Sequence, residues 1–420
     1  MDNPLADVIL RFMGFDSDVL IVGGGLNGPA LALALAQAGI SVSMIDSLPL
    51  RNRKTEGFDG RSYAMALTST RLLSGIGVWD LLADKAQPIL DIKVSDGRAG
   101  EGPSPFFMHF SHAEIEEGPM GYMVEDRHLR PTLLTALKSH NNIVHHSAET
   151  VVHQEIDQSG AAVQLASGKA LKARVLIGCD GRGSGTAQRA GITRIGWDYG
   201  QTALVCAIEH EKPHNGVAHQ FFMPPGPLAI LPLKGDRSSI VWSERAEHAE
   251  QINAMSEDDY LTVLRPRFGS FLGQINLAGA RFTYPLSLSM ANALVADRTA
   301  LVGDAAHGVH PIAGQGLNAG IRDIAALAEV LINAVRRGED IGSAQVLNRY
   351  QQWRRFDNTT LAVATDSFNK LFSNDNTLLR GIRDLGMAAI ETMPGLRRGF
   401  IREAAGLTGD LPKLLKGQPL

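Results

Sequence analysis

Three glycines, Gly23, Gly25 and Gly28, stand in the spacing G-x-G-x-x-G between the apolar run DVLIV at 18–22 and an Ala/Leu-rich stretch. Glycine serves a separate purpose at each place: a tight turn, close approach of backbone to a pyrophosphate, and close packing of a helix on a strand. A helix opening there, through Leu26 and Asn27, offers unpaired N–H groups and a positive dipole end to an anion. Asp46 closes the next apolar run, where a carboxylate can bond ribose hydroxyls. The chemistry expected is dinucleotide binding. The loop by itself does not separate one dinucleotide from another.

A second segment does. Residues 299–320 read TALVGDAAHGVHPIAGQGLNAG. A strand ending at Gly303 puts the Asp304 carboxylate at a carboxyl end, the edge at which α/β sheets bind ligands. A ribityl hydroxyl is a suitable partner for it. A long helix follows, with Arg336, Arg337 and Gly338 placed as a C-terminus. Its start, near Gly316-Leu317-Asn318, would offer partial positive charge to the anionic edge of a reduced flavin. FAD is the cofactor expected.

The elements that must position these residues follow from the pattern. Residues 18–22, a helix over 29–38 stopped at Gly39, and a strand over 40–45 make a βαβ unit. Val175-Leu176-Ile177 and Ala300-Leu301-Val302 repeat the motif of an apolar run ending at Gly and Asp. Between them, residues 201–243 alternate as antiparallel strands do. The fold expected is α/β: a Rossmann-like FAD domain built from discontinuous segments, a mixed or antiparallel-sheet substrate domain, and a helical C-terminus. The boundaries expected are FAD-binding parts at 1–75, 121–190 and 291–340, substrate parts at 76–120 and 191–290, and a helical region at 341–420.

Composition narrows the class. Forty Lys and Arg against 44 Asp and Glu give a formal charge of −4, which argues against nucleic acid as the main partner. Two cysteines, Cys179 and Cys206, cannot form a disulfide framework. No run reaches the roughly 18 apolar residues of a membrane span. The most apolar helical stretch, 321–335, is interrupted by Arg322, Asp323 and Glu329. A cytoplasmic protein without a signal peptide is expected. The stretch 377–417 reads as amphipathic and basic, suited either to a membrane surface or to a helical cover over the substrate domain.

Several features are set aside. His307 and His310 have a metal-ligand spacing but no Cys or Glu partner nearby, and read as loop packing; no metal is expected. Gly183-Ser184-Gly185 lacks the spacing of a nucleophile elbow, since Arg182 stands where glycine is needed. No second G-x-G-x-x-G marks a separate nicotinamide domain.

Both segments, with Asp180-Gly181 and the stretch GRSYAMAL at 60–67, resemble the aromatic-ring hydroxylases of the para-hydroxybenzoate hydroxylase superfamily. GDAAHGVHPIAGQGLNAGIRDIAALAEVL and GYMVEDRHLRPTLLTAL resemble the ubiquinone-biosynthesis flavin hydroxylases in particular, over nearly the whole chain. The resemblance implies FAD, reduction by NAD(P)H or another donor, and oxygen transfer from a flavin C4a-hydroperoxide to the ring of a polyprenylated phenol. It implies that Asp304 holds the ribityl chain, that Pro311 and Gly314-Gln315-Gly316-Leu317-Asn318 line the flavin ring, and that Arg61, Arg127, Asp180 and Gly181 contact the cofactor. No amino acid is expected to act as nucleophile. One departure stands out: the family's D-G-x-x-S is followed three residues on by arginine, whereas Ser184 is followed by Gly185, Thr186 and Ala187, with Arg182 and Arg189 nearby. Phe221, Phe222, Met223 and Leu231 are apolar candidates for the substrate side. The resemblance is compatible with peripheral contact at the inner membrane face, with other quinone-synthesis proteins as partners, and with an oligomer. A hydroxylase of a small soluble aromatic and a non-catalytic flavoprotein subunit are the alternatives.

Overall fold

The structure, a computed structural model, describes residues 14–50, 57–100, 102–310, 314–372 and 393–420. Its first sheet is built on the strand Ser17–Val22, flanked in parallel by Ala170–Gly178 on one side and Val42–Asp46 on the other. Ile143–Ser147 and Thr299–Leu301 extend it in parallel at the two sides. Covered on both faces, these strands are apolar almost throughout, as parallel strands must be. Val19, Leu20 and Ile21 have no exposed surface. The strands come from well-separated parts of the chain, so the dinucleotide unit is discontinuous, as expected.

The helix Asn27–Gln37 follows the first strand through the glycine turn. Pro29 falls in its first turn, where a missing N–H costs nothing, and Gly39 beyond its end takes φ +81°. Leu31, Leu33 and Leu35 are fully buried, each contributing about 1.5–3 kcal/mol. This helix packs against a second one, Gln315–Arg336, which brings the two cofactor segments together.

The second sheet has eight strands, in the order His307–Gly308, Ile275–Ala291, Arg194–His210, Arg237–Arg245, Gly226–Leu233, Val217–Met223, Asp91–Arg98 and Gly102–Ser111. Pairing is antiparallel except between Val217–Met223 and Asp91–Arg98. Alternation along the strands sorts the side chains. Phe221, Met223, Leu228, Ile230 and Trp242 pack with Ala249, Tyr260 and Leu264 of the helices Ala246–Asn253 and Glu257–Phe268. Ala218, Phe222 and Leu233 face the other way, toward Leu67, Met123 and Ile401. Phe222 and Leu231 therefore lie on the side of the cofactor segments, while Phe221 and Met223 do not. Their outward direction is a correction to the sequence expectation, and follows from the two-residue period of a strand.

A small sheet of Ser62–Ala66, Gly121–Glu125 and Gln87–Ile89 joins the two large ones. At the C-terminus, the stretch 377–417 expected to be helical holds the helix Pro394–Ala404 and, after Pro412, the short turn Lys413–Lys416; residues 377–392 lie outside the described residues.

Candidate cofactor and substrate site

The glycine loop is shaped by its own chain on one side and open on the other. A Cβ on Gly23 would lie 2.2 Å from the Cys179 carbonyl oxygen, and one on Gly28 1.9 Å from that of Gly23. Gly24 sits against Asp46, whose carboxylate would meet its Cβ at 2.2 Å. Gly25, by contrast, has nothing within 4 Å of that position. Its backbone faces free space at the start of the Asn27 helix. Leu26 caps that helix without a side-chain hydrogen bond. Asn27 reaches across to the second segment: Cβ atoms on Gly303 and Gly320 would come 2.0 and 2.6 Å from its Nδ2. Its Oδ1 is buried without a partner.

Asp46 is fully buried, accepts from Leu48 N at 3.1 Å, and has His145 Nε2 3.9 Å away. It braces the glycine loop at Gly24.

Asp180 is held by the turn that follows it. Its Oδ1 accepts from Ser184 Oγ at 2.5 Å, and its Oδ2 from Thr186 N and Oγ1 at 3.0 and 2.9 Å. Gly181, at φ +80°, again looks onto open space. Where the family pattern has an arginine three residues after the serine, this chain has the buried Ala187, and the preceding Thr186 ties Asp180 to the turn. The arginine that reaches the groove is Arg182, whose Nε lies 3.3 Å from Asp304 Oδ2. The Asp304 side chain is 42% exposed, so its carboxylate remains open to a ligand. The Asp304 and Ala305 carbonyls accept from Arg194 of the large sheet.

Gly303 and His307 are anchored from behind. Asp323 Oδ2 accepts from Gly303 N at 3.0 Å and pairs with His307 Nε2 at 2.6 Å, while its Oδ1 accepts from Arg354 Nε at 2.8 Å. His307 is thus a partner of a buried carboxylate and not mere packing. Among the described residues, no group of three or more His, Cys, Asp or Glu could hold a metal.

Gly314 is left-handed, φ +64°, and its Cβ position lies 2.9 Å from Ala64 Cβ. Gln315 then opens the helix, Gly316 has open space beside it, and Leu317 packs on the core. Pro311 lies outside the described residues. Asn318 Oδ1 accepts from Ala66 N and Ser69 Oγ, and its Nδ2 donates to the Ala64 and Gly314 carbonyls. The Asn318 amide is engaged in fastening residues 64–69 to the helix start; only its backbone is left for a ring.

The two arginines are paired. Arg61 Nη2 is 2.7 Å from Asp59 and 3.5 Å from the buried Asp126. Arg127 Nε is 2.6 Å from Glu125, which also takes Arg237 Nη2 at 2.8 Å from the large sheet. Both guanidiniums of that pair lie over the Phe58 ring, at 5.3 and 4.3 Å.

These residues suit a long dinucleotide. Gly25, Gly181 and Gly316 present backbone to open space, two helices start there, the Asp304 carboxylate is exposed, and Asn27 Oδ1 is a buried acceptor without a partner. The FAD-binding domain family matches residues 16–362. Ubiquinone hydroxylase UbiL of Rhodospirillum rubrum is 45% identical over 409 residues, 96% of this chain and 94% of that protein. The chain belongs to the FAD-dependent ubiquinone hydroxylase family. The Escherichia coli 3-demethoxyubiquinol 3-hydroxylase is 34% identical, covering 93% and 99% of the two chains. The Pseudomonas putida p-nitrophenol 4-monooxygenase PnpA superimposes with a TM-score of 0.77 at 20% identity, over 94% and 98% of the chains, which shows the shared fold.

Of the two arginines the sequence offered near Ser184, Arg182 is the one that meets Asp304. Three groups had no signal in the sequence, because each depends on tertiary pairing: Asp323 behind Gly303, Glu125 between Arg127 and Arg237, and His145 beside Asp46.

Proposed function

We propose that this protein is an FAD-dependent monooxygenase that hydroxylates the ring of a polyprenylated phenol intermediate of ubiquinone biosynthesis, with NAD(P)H or another donor as reductant. Bound FAD, once reduced, supplies the activation of molecular oxygen. The chain supplies binding and orientation. Gly23, Gly25, Leu26, Asn27 and Gly28 hold the pyrophosphate, and Asp46 the adenosine ribose. Asp304 accepts from a ribityl hydroxyl. The helix start at Gly314 to Asn318 stabilises negative charge at the ring edge, with Pro311, Arg61, Arg127, Asp180 and Gly181 completing the groove.

One observation carries the reading. His307 and Gly308, inside the cofactor loop, pair as a strand with Met290 and Ser289 of the large sheet. The stretch from Asp304 to Gly308 therefore links the dinucleotide groove to the sheet that bears Phe222 and Leu231. The face bearing these two residues is apolar, as a prenylated ring requires, and exclusion of water there protects the activated oxygen.

The lipid-borne substrate goes with a peripheral membrane contact. No helix among the described residues is long and apolar enough to cross a membrane. Met393, Leu396 and Phe400, spaced to share a face of the Pro394–Ala404 helix, are 53, 45 and 37% exposed.

The test is to mix reduced holoprotein with a prenylphenol and isotopically labelled molecular oxygen. The expected product is heavier by one labelled oxygen. Product oxygen drawn from water, or no reduction by NADH, NADPH or a ferredoxin system, would sink the proposal.

A further inference from the structure

An open groove lies between the paired strands Arg194–His210 and Ile275–Ala291 on one side and the helix Ala344–Phe372 on the other. It encloses about 350 Å³, within the range of sites that take a small organic group. Leu288 and Ala362 line its floor and are buried, while Ile195, Trp197 and Val363 line its rim and are 67, 44 and 60% exposed. Single exposed apolar side chains are ordinary; three gathered round one groove mark a contact surface.

Most polar side chains of the lining are engaged within the protein. Gln351 Oε1 accepts from Leu294 N at 2.9 Å, Asn358 Oδ1 from Arg354 Nη2 at 2.8 Å, and Asp366 Oδ1 from the Tyr199 hydroxyl at 3.2 Å. Thr359 Oγ1 donates to the Arg355 carbonyl at 2.8 Å. With the exposed Arg355 at one edge, the groove offers a ligand mainly apolar surface.

The groove continues the sheet face that bears Leu231. Leu231 pairs with Ser239 and Ser239 with Ala207. Gln201, an even number of residues back along the same unbroken ladder, pairs with Leu286. Alternate residues of a strand share a face, so Leu288 and Met290 stand on the face of Leu286, and hence of Leu231. The groove also backs the cofactor loop, because Val309, next after the His307–Gly308 strand, packs with Leu288 and Ala362. A second hollow of about 800 Å³, lined by Gln201 and Tyr199, meets it at Trp197, which lines both.

We infer that this groove holds the isoprenoid tail of the substrate: the ring lies on the apolar sheet face, the first isoprene units run between Trp197 and Val363, and the rest leaves past Ile195. This rests on the reading of the substrate as a prenylated phenol. Burial of a hydrocarbon chain gives affinity in proportion to the area covered and needs no polar partner. Binding energy gained at the tail, remote from the reacting carbon, serves to hold the ring in place.

The test uses holoprotein with 2-methylphenol and 2-geranylphenol. Binding is read from the perturbation of flavin absorbance, and hydroxylation from product mass. Each buried methylene is worth about fourfold, so the wild type should bind 2-geranylphenol at least about a hundredfold tighter than 2-methylphenol. Ile195→Asp and Val363→Asp, on opposite walls, should each cut that gain by about tenfold or more and bind 2-methylphenol as the wild type does. Val363→Leu, which keeps its wall apolar, should retain the gain. Tryptophan emission gives an independent reading: farnesol, a tail without a ring, should shift it in the wild type, and Trp197→Phe should abolish the shift. If both aspartate variants keep the whole gain, or farnesol leaves the emission unmoved, the inference falls; the proposed function stands where the wild type still hydroxylates 2-geranylphenol. Tail-dependent binding that the aspartate variants lose, with no hydroxylated product, supports the groove as an isoprenoid site and overturns the proposed function. Should the aspartate variants fail to hold FAD, Ile195→Ser and Val363→Ser carry the same comparison; loss of FAD in these as well would make the walls structural and overturn the inference.

Discussion

The Asp323 carboxylate lies 2.6 Å from His307 Nε2 and 2.8 Å from Arg354 Nε, and none of the three side chains is more than 4% exposed. Burial opposes ionisation of Asp323, but the imidazole and guanidinium outweigh it and hold the carboxyl down at about 2. The carboxylate joins the loop at Gly303 to its own helix, Gln315–Arg336, and to the helix Ala344–Phe372 that carries Arg354, so its effect is felt through the backbone position of Gly303.

Asp323→Ala should lower stability by about 3–5 kcal/mol, because it leaves a buried guanidinium without its anion. The folded value lies below the ordinary 3.8, so the carboxylate's contribution is whole above about pH 4. It is lost as pH falls toward about 2, by an amount on the order of 2 kcal/mol. Urea unfolding of both proteins across that range checks this. A gap between them that does not narrow in acid would show that Asp323 is not ionised by this pairing.

The sequence showed Asp323 only as an interruption in an apolar helix. Its partners lie 16 and 31 residues away, and no periodicity links them. Glu125 and Arg237 are 112 residues apart, and equally hidden. What could be read were features governed by local physics: the glycine turn, the Ala/Leu helix with its Gly39 stop, and the long helix ending before Gly338, which takes φ +69°. Alternation separates Phe221 from Phe222, but only the packing of the Ala246–Asn253 and Glu257–Phe268 helices says which faces outward. The site was legible as backbone loops; the side chains that brace those loops were not.

His219 and His310 are both held near 4 by burial, against an ordinary 6.5. The fold favours their neutral form, so between those values the unfolded chain binds protons that the native chain refuses. Stability should be whole above about pH 6.5 and fall with acidification, each histidine costing on the order of 2 kcal/mol at pH 5. Replacing either with Phe should flatten the slope in denaturation midpoints taken between pH 7 and 5. An unchanged slope in both variants would contradict the burial argument.

Gly25 and Gly28 should separate binding from folding. A methyl at Gly28 meets backbone 1.9 Å away, whereas at Gly25 it meets nothing. Gly28→Ala should therefore cost about 1–3 kcal/mol of stability through overpacking. Gly25→Val should leave the apoprotein's melting temperature within a degree or two while abolishing FAD retention, since the added bulk occupies the path of the pyrophosphate. Full FAD content in purified Gly25→Val would move the cofactor off this loop.

Asp304 should show the same separation by charge. Its pair with Arg182 is exposed on both sides, 44 and 42%, so it contributes little to stability. Asp304→Ala should leave unfolding within about 0.5 kcal/mol of the wild type. FAD affinity should fall by about 1.5–3 kcal/mol, the worth of a hydrogen bond to a charged group. Titration of apoprotein with FAD, read by quenching of flavin fluorescence, gives the number. Unchanged affinity would remove Asp304 from the cofactor site.

The C-terminal segment both covers the core and presents an apolar strip, and the two roles belong to different residues. Ile401, Ala405, Leu414 and Leu415 are buried, and Arg322 Nη2 donates to the Gly406 carbonyl. Deleting the segment would expose that core, so truncation cannot isolate a membrane contact. Met393, Leu396 and Phe400 are exposed on the Pro394–Ala404 helix, and Arg398 beside them is exposed as well. Seating such a strip in a bilayer interface removes apolar surface from water, at about 25 cal/mol per Å², and a nearby cation adds about 1 kcal/mol on an anionic surface. Replacing Met393, Leu396 and Phe400 together with Ser should leave FAD content near wild type and lower the melting temperature somewhat, because Leu396 and Phe400 are more than half buried and Phe400 packs near the Phe110 ring. Flotation with anionic vesicles should drop at least several-fold. Activity on a short-tailed phenol in solution should persist, while turnover of a long-tailed phenol embedded in vesicles should fall. Equal flotation of the triple variant and the wild type would rule this helix out as the contact.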